Sequence, residues 1–325
     1  CIRDSIISVE SELSKEQVNH LFIDQNSEGQ RLDNFLFKTL KGVPKSHIHK
    51  LIRTGKIRVN FRRYDPSYKL QANDQVRIPP LRFANKPTVH KKQHREYEII
   101  YEDKYLLVIN KPSGIAVHGG SGVSLGIIED LRLQIHAPYL ELVHRLDKDT
   151  SGLLMIAKKR SSLRFLQTAM REHHIKKQYL TLSTAPWNSQ KRDITWPLTK
   201  YNGKNGEKIV RVDLKNGQKA HSQFRLLTHF GSFSLLEVTL KTGRTHQIRV
   251  HMQKEGTPIA LDERYGNYLL NRQLKKQGLS RLFLHAARLV VPSPAPEGGL
   301  LYLEAPLPKE LQNFLQHLEK GKVTV

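Results

Sequence analysis

Short apolar runs with the length of buried strands recur between residues 96 and 325: Tyr97–Tyr101, Leu106–Ile109, Leu153–Ala157, Tyr179–Leu182 and Leu235–Leu240. Helix-period patterns near 124–134, 161–174, 245–255 and 308–319 fall between some of them. The order is irregular. A doubly wound parallel sheet needs strict βαβ alternation, so this mixture predicts an α+β domain. There is no internal repeat and no low-complexity tract to suggest a solenoid.

A smaller unit precedes it at 29–80. Leu32, Phe35, Leu36 and Leu40 keep helical spacing, and Gly42 can end that helix. Pro44 suits the first turn of a second helix, whose apolar face is Ile48, Leu51 and Ile52. Ile57 and Val59 alternate with basic residues, and Val76 and Ile78 alternate before Pro79 and Pro80. The predicted order is helix, helix, strand, loop, strand. Residues 1–28 are polar and weakly acidic, and predict an extension that packs little, with one strand at Leu21–Ile23. Residues 81–95, with Pro87, Lys86, Lys91, Lys92 and Arg95, predict a basic linker, which leaves 96–325 as the larger domain.

Charge singles out the small unit. The chain carries 53 Lys+Arg against 30 Asp+Glu, a net of +23. Residues 31–95 alone hold 17 basic and 3 acidic side chains. Lys45, His47, Lys50, Arg53, Lys56, Arg58, Arg62 and Arg63 occupy polar positions with no acid among them. An uninterrupted basic face of this kind favours a polyanion, and nucleic acid above a merely solvated surface.

Several chemistries can be set aside. His118–Gly126 is glycine-rich after an apolar run, but it fails G-x-G-x-x-G, and no Walker A sequence exists. One cysteine cannot build a zinc deaminase site, a Cys-based metal cluster or a disulfide scaffold, and it fits a reducing, cytoplasmic setting. No apolar run approaches the ~18 residues of a membrane span. Two polar runs remain. In His144–Leu154 a polar turn leads into a strand; Asp147 sits among basic residues that favour its ionised form, and Asp149 is nearly as good a candidate on local chemistry. In Thr242–His251, Gly243 breaks a strand and Thr245 can cap a helix, which gathers Arg244, His246 and Arg249 near a helix start suited to an anion.

Together these runs resemble the RluA/RluC family of pseudouridine synthases. His144-Arg145-Leu146-Asp147 with Thr150-Ser151-Gly152 is similar to its catalytic motif, and Gly243–His251 to its later arginine motif. Lys111–Gly114, His118–Gly120, Lys177–Leu180, Asp262–Gly266 and Leu284–Ala286 extend the likeness. Leu261 departs from it, since Gly or Phe is expected there. The small unit resembles the S4 RNA-binding domain through Gln30–Leu36, Val43–Ser46 and Leu51–Asn60. The resemblance implies a small α/β S4 domain followed by a catalytic domain on a mixed, mainly antiparallel sheet flanked by helices.

It also implies a reaction: cleavage of the N1–C1′ bond of a uridine in RNA, rotation of the uracil and rejoining through C5, with no cofactor and no metal. Asp147 would act at C1′, by attack or by removing the 2′ proton. Arg249 would pair with Asp147 and lower its pKa. Tyr179 would stack on the flipped uracil and could take part in proton transfer at C5. Arg145 would fill the space the base leaves, and Ile248 would touch the base; His144, Arg244 and His246 complete the substrate-binding set. Arg31 joins the eight basic residues above as S4 contacts to RNA, supplying affinity rather than chemistry. The expected partner is large-subunit (23S) rRNA or an assembly intermediate, met by a cytoplasmic monomer with no membrane association. The competing readings are a synthase of the same family acting on tRNA or on other rRNA uridines, and a non-catalytic RNA-binding ribosome-assembly factor.

Overall fold

The computed structural model describes residues 17–25, 27–40, 42–81, 95–119, 125–135, 137, 139–203, 208–321 and 323. Residues 1–16 of the expected extension, nearly all of the expected linker and Gly120 lie outside them. The chain divides into two compact units, Cys1–Gln93 and His94–Val325.

In the first unit the elements are β1 (Asn19–Phe22), α1 (Leu32–Thr39), α2 (Lys45–Arg53), β2 (Arg58–Val59) and β3 (Gln75–Ile78). Pro44, with φ fixed near the helical value, caps α2, and Ile48, Leu51 and Ile52 turn inward. The three strands form one antiparallel sheet in the order β1-β3-β2. Residues 19–23 are a correction to the loosely packed extension: β1 pairs along β3, and Leu21 and Ile23 are buried in this unit's core.

The second unit contains β4 (Glu98–Glu102), β5 (Leu106–Lys111), α3 (Ile127–Gln134), β6 (Glu141–Leu142), β7 (Ser151–Ala157), α4 (Arg160–Arg171), β8 (Lys176–Ser183), β9 (Lys191–Ile194), β10 (Leu198–Asn202) and β11 (Lys208–Val212). It continues with β12 (Ser222–Phe230), β13 (Phe233–Leu240), α5 (Gln247–Lys254), α6 (Tyr268–Lys276), β14 (Leu284–Pro292), β15 (Leu300–Glu304) and α7 (Lys309–Glu319). A ten-stranded sheet runs β4-β5-β7-β14-β8-β13-β12-β9, with β15 added to β14 and β6 to β7; β10 and β11 form a separate pair. The large sheet is antiparallel throughout except where β14 meets β7.

The central strands are covered on both faces. Along β5, Leu107 and Ile109 enter one core with α3, α5 and α7, while Leu106 and Val108 enter another with α4; Leu154 and Ile156 of β7 divide from Leu153 and Met155 in the same way. This is why those strands read as continuous apolar runs. The parallel junction is short, with Ser151 beside His285 and Gly152 beside Ala286. Gly152 holds φ at +108°, and a Cβ there would stand 2.2 Å from the Ala286 carbonyl oxygen. The junction places the turn before β7 two strands from β8, across β14.

Candidate active site

The turn at 147–150 is clamped from one side by residues 111–114. Lys111, fully buried, donates from Nζ to the carbonyls of Pro112 (2.8 Å), Lys148 (2.9 Å) and Thr150 (2.7 Å). Three acceptors need three N–H groups, which only the ammonium provides. Burial and then Arg281 pull its pKa down to about 7, and Asp149 and Asp147 oppose them. Ser113 Oγ donates to the Asp149 carbonyl and the Gly114 amide to that of Lys148. Behind the turn, Ser151 Oγ lies 2.8 Å from His285 Nδ1 and accepts from Arg281 Nη2 at 2.7 Å.

So held, the Asp147 carboxylate accepts no hydrogen bond among the described residues. Arg249 Nη1 stands 3.6 Å from its Oδ2 and His246 Nε2 stands 3.7 Å away. The pairing expected of Arg249 is therefore the looser of two. Its Nε and Nη2 each donate to Asp262 at 2.8 Å, a two-point ion pair that leaves Nη1 facing Asp147. Asp262 also accepts the amides of Arg264 and Tyr265. Burial pushes Asp262 up, but the guanidinium and those amides hold it below the usual carboxylate range.

The expected cap at Thr245 is corrected. His246 is the residue preceding α5, in the left-handed region at φ 54°, with no side-chain cap. Gln247 organises this turn instead: its Oε1 accepts from Thr242 Oγ1 and the Arg244 amide, and its Nε2 donates to the His221 carbonyl and Ser222 Oγ. Burial lowers the His246 pKa, which favours the neutral ring. Tyr265 Oη accepts from the Val210 amide (3.1 Å) and lies 2.8 Å from His246 Nδ1. With Tyr265 donating to Nδ1, the His246 proton sits on Nε2 and faces Asp147.

A cavity of about 600 Å³ gathers every expected substrate-site residue: His144, Arg145, Asp147, Tyr179, Arg244, His246, Ile248 and Arg249. Tyr179 is buried, and burial followed by the charge of Asp147 raises its phenol, so it stands in the cavity protonated. Ile248 is 4% exposed beside it in the core. Arg145 is exposed, and Arg244 donates Nε to the Lys219 carbonyl. His144 holds the backbone in place, because its Nε2 accepts the Met155 amide at 3.1 Å, which requires an unprotonated nitrogen. Burial, then the charge of Lys177, lowers its pKa to about 3. A second cavity of about 1310 Å³ shares Asp147, His246 and Arg249 and adds Arg211, Arg264 and Arg281. The sequence patterns assign no role to Lys111, Asp262, Tyr265 or Gln247, although each lies in a stretch that resembles the family.

In the first unit, Lys45, His47, Lys50, Arg53, Lys56, Arg58, Arg62 and Arg63 are all exposed. Arg31 is committed to Asp33, at 3.1 and 2.7 Å. Among the described residues, no three His, Cys, Asp or Glu side chains are placed to hold a metal ion, and no helix is long and apolar enough to cross a membrane.

The family model for RNA pseudouridylate synthase matches residues 105–254, and that for the S4 domain matches 30–76. Proteins named ribosomal large subunit pseudouridine synthase C are similar over nearly the whole chain. That of Pasteurella multocida is 46% identical, covering 94% of this chain and 95% of its own; that of Escherichia coli K12 is 47% identical, covering 92% and 96%. Among solved structures, human RNA pseudouridylate synthase domain containing 4 superposes with a TM-score of 0.57 at 29% identity, covering 68% of this chain and 93% of its own. With its candidate site residues gathered around Asp147 and relatives matching along nine-tenths of its length, this chain belongs to the RNA pseudouridylate synthase family, as an isomerase that carries an S4 domain ahead of its catalytic domain.

Proposed function

We propose that the chain converts specific uridines of large-subunit (23S) rRNA to pseudouridine, with Asp147 as the carboxylate that acts at C1′. The observation that carries this reading is the uncommitted carboxylate of Asp147, facing two cationic or polar side chains and opening into a cavity floored by Tyr179 and Ile248. A carboxylate tied up by hydrogen bonds, as Asp262 is, could not approach an incoming sugar. The choice of RNA is supported by the names of the relatives.

In this reading the target uridine leaves its stack at a cost of about a few kcal/mol. Tyr179 and Ile248 receive the uracil, and Arg145 replaces it in the helix. N1–C1′ breaks, C5–C1′ forms, C5 gives up one proton and N1 takes one. Nothing is oxidised and no group is gained, so the isomerisation itself calls for no cofactor or metal. The exposed basic residues of the first unit hold phosphates, and we take the chain to act as a cytoplasmic monomer.

The test is carbodiimide-based primer extension across 23S rRNA from cells lacking this gene, treated with wild-type protein or Asp147→Asn. Stops restored by wild type alone are expected, while the variant still folds and binds RNA. Wild-type turnover in Asp147→Asn would remove Asp147 from the chemistry. Tight binding by the wild type without any stops on rRNA or precursor particles would favour an assembly factor instead.

A further inference from the structure

Lys177 is the buried titratable group in the 600 Å³ cavity that the proposed reaction leaves without a part. It stands on β8 two residues from Tyr179, so both side chains leave the same face of the strand. The residue is 8% exposed, yet its amine donates to no described group. Burial lowers its pKa, and no carboxylate lies near enough to oppose that. Gly243 makes room for it: a Cβ there would stand 3.3 Å from Lys177 Nζ, with no other heavy atom within 4 Å. Gly243 is not among the positive-φ glycines, so the glycine provides space rather than an unusual backbone.

The cavity wall holds five Lys or Arg side chains and, among its lining residues, one carboxylate, Asp147. Asp147 makes itself felt at the Tyr179 phenol but not at Lys177. Lys177 and Tyr179 line the same cavity from one face of β8, so a base lying on Tyr179 would share that cavity with the amine. The amine opens into the cavity, where water or an incoming ligand can accept from it. The reaction supplies such an acceptor. When N1–C1′ breaks, the electron pair stays with the uracil, and its charge spreads from N1 onto the carbonyl oxygens until C5 joins C1′. Asp147 cannot offset that charge, and Arg249 is occupied by Asp262.

We propose that the Lys177 ammonium binds a carbonyl oxygen of the flipped uracil and stabilises the negative charge that develops on the base as the glycosidic bond breaks. Lys177 keeps its protons throughout; the proton lost at C5 and the one gained at N1 balance as above. The inference rests on Asp147 acting at C1′.

The experiment follows tritium release from [5-³H]uridine-labelled 23S rRNA under single turnover with the full-length protein. Lys177→Met keeps the unbranched stem as far as Cε and removes the ammonium. Its rate at saturating enzyme is expected to fall about 100-fold, the usual loss when one electrostatic donor to a developing anion is removed. RNA affinity should change by less than about threefold, because the contact strengthens in the transition state. The unfolding midpoint should stay level or rise, which a merely structural lysine would not allow. Wild-type enzyme should slow on either 2-thiouridine or 4-thiouridine RNA, whichever replaces the oxygen that is held, and Lys177→Met should not distinguish them. A rate within about threefold of wild type, or a loss recovered by adding more enzyme, would overturn the proposal, the latter in favour of a phosphate contact. Should Lys177→Met not fold, Gly243→Ala crowds the amine without removing it and should slow the reaction about tenfold, as misplacement of a reacting group does; an unchanged rate there overturns the proposal too. Asp147→Asn run alongside separates the two readings. If it is inactive while Lys177→Met is normal, only the lysine assignment falls; if it is active, the chemistry at C1′ falls first.

Discussion

Arg249 faces two aspartates that do opposite things. Asp262 accepts from two of its nitrogens and from two backbone amides, and at 1% exposed it is closed to a substrate. Asp147 faces only the remaining nitrogen, Nη1, at 3.6 Å, and stays open. Asp262→Asn should therefore harm the protein more than its distance from the reaction suggests. Arg249 would be left buried without a full counter-charge, a loss of about 3–5 kcal/mol at neutral pH. The pH dependence has a definite sign. A carboxylate whose folded pKa is depressed contributes stability above its unfolded pKa, about 3.9, and loses it as pH falls through the folded value. Denaturant unfolding should show the largest gap between wild type and variant near pH 7, closing below about pH 4 as wild type loses the same pair. A gap that stayed constant into acid would mean the ion pair is not what Asp262 contributes. The neighbouring departure from the family pattern also gains a physical meaning: Leu261 sits at φ 56°, where glycine is favoured, and holds that conformation while only 3% exposed.

Among the elements, the β7–β14 junction decides where the chemistry can be. Two parallel residue pairs bring Ser151 and Gly152 against His285 and Ala286, and Tyr179 pairs with Ala286 from the other side. Gly152→Ala would meet both a positive φ and backbone atoms at 2.2 Å, with no flexible side chain to yield. We expect at least about 3 kcal/mol of lost stability, from strain plus overpacking, and a fall in kcat from displacement of the Asp147 turn. Chemical denaturation and single-turnover rates would measure both; an alanine variant as stable as wild type would show that the strands can separate there. Much of this was legible in the sequence. The five apolar runs are β4, β5, β7, β8 and β13, and the four helical patterns are α3, α4, α5 and α7. What escaped did so for physical reasons. In α6 the apolar Tyr268 and Leu269 face solvent while Asn271 and Leu274 are buried, so no apolar stripe marks the helix. Strand β12 has exposed residues over most of its second half, and β14 carries the polar His285 in a buried position as its second residue. The eight residues to which the resemblance gives a part at the site share one cavity. Their supports were not legible, because the clamp of Lys111 acts on carbonyls 37 and 39 residues away, and nothing local in the sequence signals such a partner.

Across the whole molecule, the exposed basic face belongs to the first unit and the cavities to the second, although net charge does not separate the units: residues 1–93 carry +9 and residues 94–325 carry +14. The catalytic unit has its own cores and contains every residue that lines either cavity. The first unit contributes eight exposed cationic or imidazole side chains with no part in those cavities. Binding energy from groups remote from the reacting bond, if equal in ground and transition states, lowers KM and leaves the chemical step alone. Removing residues 1–93 should thus weaken affinity for rRNA strongly while the single-turnover rate at saturating enzyme stays within about threefold. The salt dependence sharpens the test. Each phosphate neutralised contributes about 0.7–0.9 to the slope of log K against log salt, so losing about four contacts should flatten that slope by about 3. Full-length and truncated proteins would be titrated with rRNA fragments between 50 and 200 mM salt, roughly the range over which such contacts are read. If the slope is unchanged while affinity falls, the first unit binds through something other than phosphates, such as base stacking. If the single-turnover rate collapses at saturation, the first unit shapes the active site itself, and the division of labour read from the placement of charge is wrong.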